Sequence, residues 1–501
     1  VTLAELAAAV SGARVVREAT TAVSRVTHDS RTAGPGALYV AVPGQRVDGR
    51  QFISQAIVAG AAAIAGVPAC EADVPPGTGF LALTEPRVAL GALAAAALGY
   101  PARSMTLVGI TGTNGKTTTS TLVAQMCAAA GEAPGLIGTV AHRIGDELIE
   151  ARHTTPEAPD LQALFARMRA AGVRHAAMEV SSIGLTEHRL AGLSFDVAAF
   201  LNLTPDHLDY HGTLAAYGDA KAQLFRDHLA PGATAVIALD DPAGAAMMAA
   251  VPAGRTIWRV SAVPGRSDVE VAYTALSFGG DGIRGRLRTP VGTLDVETPL
   301  VGGFNAENVA VAAACALAAG LPAHAVGRGL AGARIRGRLE RVPAPSGAPT
   351  VLVDYAHTPD ALARAIDAVR PFATGRVLVV FGCGGDRDRQ KRPLMGAAAA
   401  AADVVVVTTD NPRGEAPDAI AAAALEGALA AGKRAADDRA TGTAGIVLDR
   451  RTAIEAAIAA AAAGDVVLVA GKGHETYQEI AGQRHPFDDV AVARAALGEI
   501  R

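Results

Sequence analysis

Seven residues at 112–118, Gly-Thr-Asn-Gly-Lys-Thr-Thr, have the types and spacing to hold a phosphate chain. They follow the apolar run Met105–Ile110 and lead into a stretch that reads as helix. A strand that feeds a glycine loop and a helix start aims backbone N–H groups and the positive helix end at an anion. In that frame Gly112, Thr113, Asn114 and Gly115 cradle the phosphates, Lys116 reaches the terminal ones, and Thr117 offers a hydroxyl oxygen to Mg²⁺, with Thr118 in the same set. The commoner GxxxxGK[ST] spacing is not met, because Ile110 stands where its first glycine belongs. A purely structural strand-to-helix turn is the competing reading.

Other polar motifs also follow apolar runs. Glu179-Val-Ser-Ser182 ends one, and Asn202-Leu-Thr-Pro-Asp-His-Leu-Asp-Tyr-His-Gly212 ends another. Further on come Asp354-Tyr-Ala-His357, Gly382-Cys-Gly-Gly-Asp-Arg387, Asp410-Asn-Pro-Arg413 and Gly471-Lys-Gly-His-Glu475. In open parallel sheets, ligand-binding loops sit at the carboxyl ends of strands. Arg189 and Arg413 carry the planar fork that suits a carboxylate. Read alone, His207 is a structural histidine and Lys221 a surface lysine on a helix.

These loops need strands beneath them. The sequence predicts parallel strands at Met105–Ile110, Ala176–Val180, Val197–Leu203 and Ala235–Leu239, each beside helical sequence. Near 267–301 the pattern turns to hairpins with Gly-Gly and Asp-Gly turns, and 302–330 returns to helix. A third segment, beginning near 337, predicts strands at Thr350–Val353, Val377–Phe381, Val404–Thr408 and Val466–Ala470. The N-terminal stretch alternates a strand from Gly36 with an amphipathic helix over Phe52–Ala65. The expectation is an α/β protein of three domains: 1–101, then a central phosphate-loop parallel-sheet domain at 102–334, then a doubly wound, Rossmann-like domain at 335–501.

Composition narrows the class. Half the residues are hydrophobic, enough for a core in every domain. A net charge of -4 with mixed signs argues against a nucleic-acid partner. No apolar stretch is long enough to insert in a membrane, and the start lacks the pattern of a signal peptide. Four dispersed cysteines without a CxxC pair fit a reducing cytoplasm.

The GTNGKTT loop resembles that of the Mur ligases and of folylpolyglutamate synthase, and the chain resembles a Mur ligase over essentially its whole length. The resemblance implies three domains, for a UDP-sugar, for ATP and for the incoming amino acid. Within the family the motifs are similar to those of diaminopimelate-adding members. It therefore implies an ATP- and Mg²⁺-dependent amide-bond ligase of peptidoglycan biosynthesis, monomeric, acting on UDP-N-acetylmuramoyl-L-alanyl-D-glutamate and meso-2,6-diaminopimelate. The LL isomer of that amino acid stays open. An L-lysine-adding ligase and a non-catalytic nucleotide-binding scaffold are the alternatives.

The same resemblance implies roles for single residues. Ser30 and the Gln45-Arg46-Val47 loop hold uracil and diphosphate. His153, Thr154, Thr155, Ser181, Glu187 and Arg189 meet the muramoyl-peptide, although the family often has His where Ile183 stands and Gln where Glu187 stands. Glu179 and His207 bind Mg²⁺ together with Thr117 and with Lys221, which carries a carbamate derived from CO₂. Lys116, Glu179, His207 and Lys221 form the catalytic set. Asn305 and Asn308 read the adenine edge or brace the loop, Arg338 reaches an ATP phosphate, and Asp354 holds the ribose or positions the nucleotide. Asp410, Asn411, Pro412 and Arg413 form the motif that meets diaminopimelate: Arg413 pairs with its far carboxylate and Arg387 supplies a second cation, while Gly471 and Glu475 take its ammonium.

Overall fold

The computed structural model describes residues 1–44, 47–436 and 438–498. Gln45 and Arg46 of the UDP-type loop lie outside the described residues. The chain forms two compact units. One comprises Val1–Tyr273, Leu287–Leu294 and Glu307–Gly329; the other comprises Thr274–Arg286, Asp295–Ala306 and Leu330–Arg501. Each is a set of helices packed on a largely parallel sheet, which is the α/β class expected.

The first unit begins with five strands in the order Arg14–Arg17, Gly79–Ala82, Ala63–Gly66, Ala37–Val40, Arg25–Thr27. All pairs but the first are parallel. Here one expectation is corrected: Phe52–Ala65 is not one helix. The helix covers only Ile53–Val58. Gly60 then takes a left-handed conformation (φ +97°), its N–H bonds to the carbonyl of Ile57, and the chain re-enters the sheet as Ala63–Gly66. That strand is buried throughout, so its small apolar residues show no alternation to tell strand from helix.

The larger sheet of this unit places Thr106–Thr111 between His175–Glu179 and Phe195–Phe200. Both flanking pairs are parallel and in step: Glu179 lies opposite Ile110, and Phe200 opposite Thr111. The strands therefore end together, and the turns that follow emerge along one edge. Leu229–Ala238 and Thr256–Ser261 continue the sheet on one side. Pro134–Ile137 joins on the other in parallel, followed by the antiparallel strands Ala141–Ile144 and Glu147–Glu150, which the sequence had not suggested.

The second unit holds a seven-stranded sheet in the order Glu340–Val342, Thr350–Asp354, Val466–Ala470, Val377–Phe381, Val404–Val407, Thr443–Ile446, Arg434–Ala435. Apart from the first pair it is parallel. Asp354 pairs with Ala470, and Phe381 with Val407. The four motifs that end these strands thus share one edge of the sheet.

Two alanine-rich helices, Lys391–Ala399 and Pro417–Ala430, cross at a contact that only glycine permits. A Cβ on Gly396 would lie 1.8 Å from the Ala424 carbonyl oxygen, and one on Gly427 would lie 1.8 Å from that of Pro393. The crossing fixes Arg392, whose buried guanidinium donates to Glu415 at 2.7 Å and so anchors the turn after Arg413. Gly396→Ala is expected to destabilise the protein by about 1–3 kcal/mol through overpacking. Calorimetry checks this: a lower melting temperature is expected, and an unchanged one counts against the close contact.

Candidate active site

The loop 112–118 is a preformed anion cradle. Gly115 caps the helix Lys116–Ala129 at φ +89° without any side-chain cap, so the positive end of the helix faces the loop. The neighbouring strand's exit holds the loop. Thr113 N–H donates to the Asn202 carbonyl at 2.9 Å, and Asn114 N–H to Asn202 Oδ1 at 2.8 Å. Thr113 Oγ1 donates to the Thr204 carbonyl at 3.1 Å. A Cβ at Gly115 would lie 2.2 Å from Asn308 Oδ1, so Asn308 closes over the loop. Lys116 Nζ lies back along it, donating to the carbonyls of Gly112 (2.8 Å) and Thr113 (2.9 Å). Thr118 is buried in the same turn.

Glu179 ends the adjacent strand and is almost wholly buried. Its Oε2 accepts from Thr117 Oγ1 at 3.0 Å and from Thr139 Oγ1 at 2.9 Å, and its Oε1 accepts from Thr139 N–H at 2.8 Å. Gly138 leaves room for it, since a Cβ there would sit 2.4 Å from Oε1. Thr117 and Glu179 thus present two hard oxygens side by side beside the cradle. That fits Mg²⁺, which takes one or two protein oxygens and completes its shell with phosphate and water. Among the described residues no cluster of three or more His, Cys, Asp or Glu forms a metal cage. Thr139 was not expected here; nothing in its sequence context marks it.

Lys221, on the helix Leu214–His228, is buried to the same degree. Its Nζ donates to the Gly112 carbonyl at 2.9 Å, the same oxygen that Lys116 uses, and lies 4.1 Å from the centre of the Tyr217 ring. Burial first, and then the charge of Lys116, hold this amine well below the usual lysine range. The ring of Tyr217 also meets those of His207 (6.2 Å) and His211 (5.1 Å). His207 itself is exposed and left-handed (φ +51°), 3.6 Å from Asp206. His211, which the sequence reading passed over, reaches Ser182 Oγ at 2.9 Å.

Arg189 is already engaged. Its Nε and Nη2 donate to Glu187 Oε2 at 3.0 and 2.6 Å, its Nη1 to the Thr155 carbonyl at 2.9 Å, and Glu157 stands 3.0 Å from Nε. Arg87 bonds the other oxygen of Glu157 at 2.7 Å. Thr155 is fully buried, and its hydroxyl donates to the Glu179 carbonyl while accepting from Ser181 N–H. That side chain braces two loops. Ser181 Oγ caps the helix Ser182–Thr186. Thr154 meets Thr139 at 3.0 Å, and His153 is exposed. Ser30 Oγ donates to Gln55 Oε1 at 2.9 Å, and Val47 is half exposed.

In the second unit, Asp354 ends the strand Thr350–Asp354. It is buried, and its two oxygens accept from Leu339 N–H (2.7 Å) and Ala356 N–H (2.8 Å), so it clamps the backbone on both sides of the strand end. Asn305 is buried, donating to the Val301 carbonyl at 2.7 Å. Arg338 lies over the Tyr355 ring at 5.1 Å. The loop Asp410–Arg413 packs tightly on Gly384 and Gly385: a Cβ on Gly385 would be 1.9 Å from the Pro412 carbonyl oxygen. Above Gly384, Arg413 Nη1 would stand 3.0 Å and Arg387 Cγ 3.7 Å from such an atom, so the two cationic side chains flank one glycine. Arg413, at φ +52°, donates to the Gly385 carbonyl at 2.8 Å and pairs with Glu479 at 3.3 Å. Glu475 accepts from Asn411 at 2.8 Å and from Lys472 at 3.1 Å. Gly471 turns at φ +114° beside Asp410.

Comparison with known proteins matches this arrangement along the chain. Residues 22–96 match the Mur ligase family catalytic domain, 110–316 the Mur ligase middle domain, and 337–473 the Mur ligase glutamate ligase domain. The chain is 45% identical to the UDP-N-acetylmuramoyl-L-alanyl-D-glutamate–2,6-diaminopimelate ligase of Parasynechococcus marenigrum, covering 95% of this chain and 94% of that one. It is 43% identical to the protein of the same name from Gloeobacter violaceus, covering 96% and 94%. A solved structure of a ligase of that name superposes with a TM-score of 0.71 at 33% identity, over 100% of this chain and 99% of the other. With its phosphate cradle, buried lysine and strand-end motifs in the matched segments, the chain belongs to the Mur ligase family.

Proposed function

We propose that the protein joins meso-2,6-diaminopimelate to the D-glutamate γ-carboxylate of UDP-N-acetylmuramoyl-L-alanyl-D-glutamate, at the expense of ATP, in peptidoglycan biosynthesis. The observation that carries this is the convergence of Lys116, Lys221 and the Thr117–Glu179 pair on one phosphate-type loop, in a chain whose relatives bear the name of this reaction. Its functional domains are 1–101, 102–334 and 335–501, in keeping with the three matched segments. It works as a monomer in the cytoplasm, without nucleic acid or membrane insertion; among the described residues no helix is long and apolar enough to cross a membrane.

The γ-carboxylate attacks the γ-phosphorus of ATP and ADP leaves. The amine of diaminopimelate then attacks the acylphosphate carbon, loses a proton, and expels inorganic phosphate. Phosphoryl transfer needs position and charge neutralisation more than side-chain chemistry. The loop N–H groups hold the phosphates, and Lys116 swings from its own carbonyls to the charge that builds on them. Bound Mg²⁺ neutralises further phosphate charge, with Thr117, Glu179, His207 and carbamylated Lys221 as its holders. In the second unit, Arg413 and Arg387 supply cations for the distal carboxylate of diaminopimelate, and Glu475 a carboxylate for its ammonium.

The setting of Lys221 favours its carbamate. A lowered amine pKa enlarges the fraction in the neutral, nucleophilic form. Addition of CO₂ to the neutral amine releases one proton, after the one already lost from the ammonium, and leaves an anion that attracts Lys116 where a cation would repel it. Incubation with ¹³C-bicarbonate is expected to give a carbamate resonance that Lys221→Ala lacks, together with loss of ligase activity. Acidification protonates the amine, so activity should fall on the acid side and recover with added bicarbonate. A Lys221→Ala enzyme of normal activity would remove the carbamate from the mechanism.

Glu187 occupies the fork of Arg189 that a precursor carboxylate would use. Glu187→Gln should therefore lower the KM for the UDP-precursor several-fold and leave the KM for ATP alone. A higher precursor KM would show instead that Glu187 holds Arg189 in its working position.

The decisive assay is phosphate release with the UDP-muramoyl-dipeptide, ATP and Mg²⁺, offering meso-diaminopimelate, LL-diaminopimelate or L-lysine, with product mass measured. Turnover with meso-diaminopimelate and little with lysine is expected. Preferred turnover with lysine would replace the amino-acid assignment, and no amide product with any of the three would sink the ligase reading.

A further inference from the structure

Lys472 sits in the middle of Gly471-Lys472-Gly473, and both glycines have positive φ (+114° and +52°). A Cβ on Gly473 would stand 2.6 Å from Tyr355 Cβ, so the turn is pressed against its neighbour and the lysine is directed inward. Its side chain has no exposure, and its ammonium finds three acceptors: Asn411 Oδ1 at 3.0 Å, Glu475 Oε2 at 3.1 Å and Asp410 Oδ1 at 3.5 Å. Those are as many acceptors as the group has N–H bonds.

The acceptors are the residues assigned above to the amino-acid substrate. Asn411 is held at both ends of its amide. Its Oδ1 takes Lys472 and also Glu479 N–H at 3.0 Å, and its Nδ2 gives to Glu475 at 2.8 Å. The Glu479 carbonyl in turn accepts from Arg413 N–H at 3.0 Å, and its carboxylate pairs with the Arg413 guanidinium. One ammonium is thus tied to the carboxylate meant for an ammonium ligand and, two bonds further, to the arginine meant for a carboxylate ligand. The charges are graded as well. A single lysine faces two carboxylates whose side-chain exposure rises from 10% at Asp410 to 22% at Glu475. The surplus negative charge therefore lies toward solvent, where a cationic substrate group would meet it.

We infer that Lys472 is the positioning residue of the amino-acid pocket, setting Glu475 and Arg413 at the spacing of a substrate with an ammonium and a carboxylate at one end. This rests on the ligase reading above and adds to it the group that holds both recognition residues in register. Lys472 does not touch the substrate; it acts through Asn411 and Glu475.

The test is the split among Michaelis constants. Lys472→Met keeps the length of the side chain and removes its charge. The KM for diaminopimelate should rise about tenfold or more, the scale of a lost hydrogen bond to a charged group, while the KM for ATP and for the UDP-precursor stay where they are. The double variant Lys472→Met/Asp410→Asn removes one charge of each sign, guarding against a fold lost to unbalanced buried charge, and its diaminopimelate KM should stand well above that of Asp410→Asn alone. An unchanged diaminopimelate KM in either folded variant overturns the inference. So does a parallel fall in all parameters with a lost cooperative melt in both variants, which would make the lysine a stability element only. Wild-type enzyme assayed alongside separates the two levels: if it forms no diaminopimelate adduct, the ligase reading fails, whatever the variants do.

Discussion

A single carbonyl oxygen, that of Gly112, accepts from two lysines, one exposed enough to meet phosphate and one sealed in the protein. Two ammonium groups on one neutral acceptor in a low-dielectric setting repel each other, and no fixed carboxylate forms an ion pair with the buried one among the described residues. The arrangement is tolerable only because something can relieve it: loss of a proton, gain of a carboxylate, or arrival of a polyanion. Each of those belongs to the proposed reaction. The phosphate loop is therefore less a finished site than an electrostatic demand that ligands satisfy.

That demand can be posed because the surrounding strands end in step. Glu179 and Thr111 reach the same edge through parallel register with Ile110 and Phe200, so the carboxylate, the cradle and the Asn202–Thr204 brace meet without any long loop. Backbone approaches do the rest. Gly115 under Asn308, Gly138 under Glu179 and Gly385 under Pro412 sit where a methyl group would collide with a functional partner. In each case the missing side chain lets a functional residue come within contact distance of the main chain.

Much of this was legible from the chain. The apolar runs that became central strands, and the motifs at their ends, were readable because buried parallel strands are short, uniform and followed by turn residues. Where the same uniformity had no flanking motif it misled: Ala61–Ala65 looks like helix until Gly60 turns the backbone. Side-chain occupation was less readable still. Thr139 enters the Glu179 cage only through a strand register, and Thr155 and Asp354, residue types that suit a ligand, already bond to neighbouring main chain. Sequence gives the donors and acceptors available; which of them remain for a substrate depends on what folding consumes.

The two buried lysines make the point physically. Lys472 is surrounded by two carboxylates and an amide, and its N–H bonds are all accounted for. Lys221 is equally buried but has a neutral carbonyl and an aromatic ring for company. The first environment suits a fixed cation that orders its neighbours. The second disfavours the cation, and leaves an amine able to take on a new charge of the opposite sign. The same side chain, buried to the same degree, meets two carboxylates and an amide in one unit and only a neutral carbonyl and an aromatic ring in the other, which is what separates a cation that orders its neighbours from the amine of the proposed carbamate.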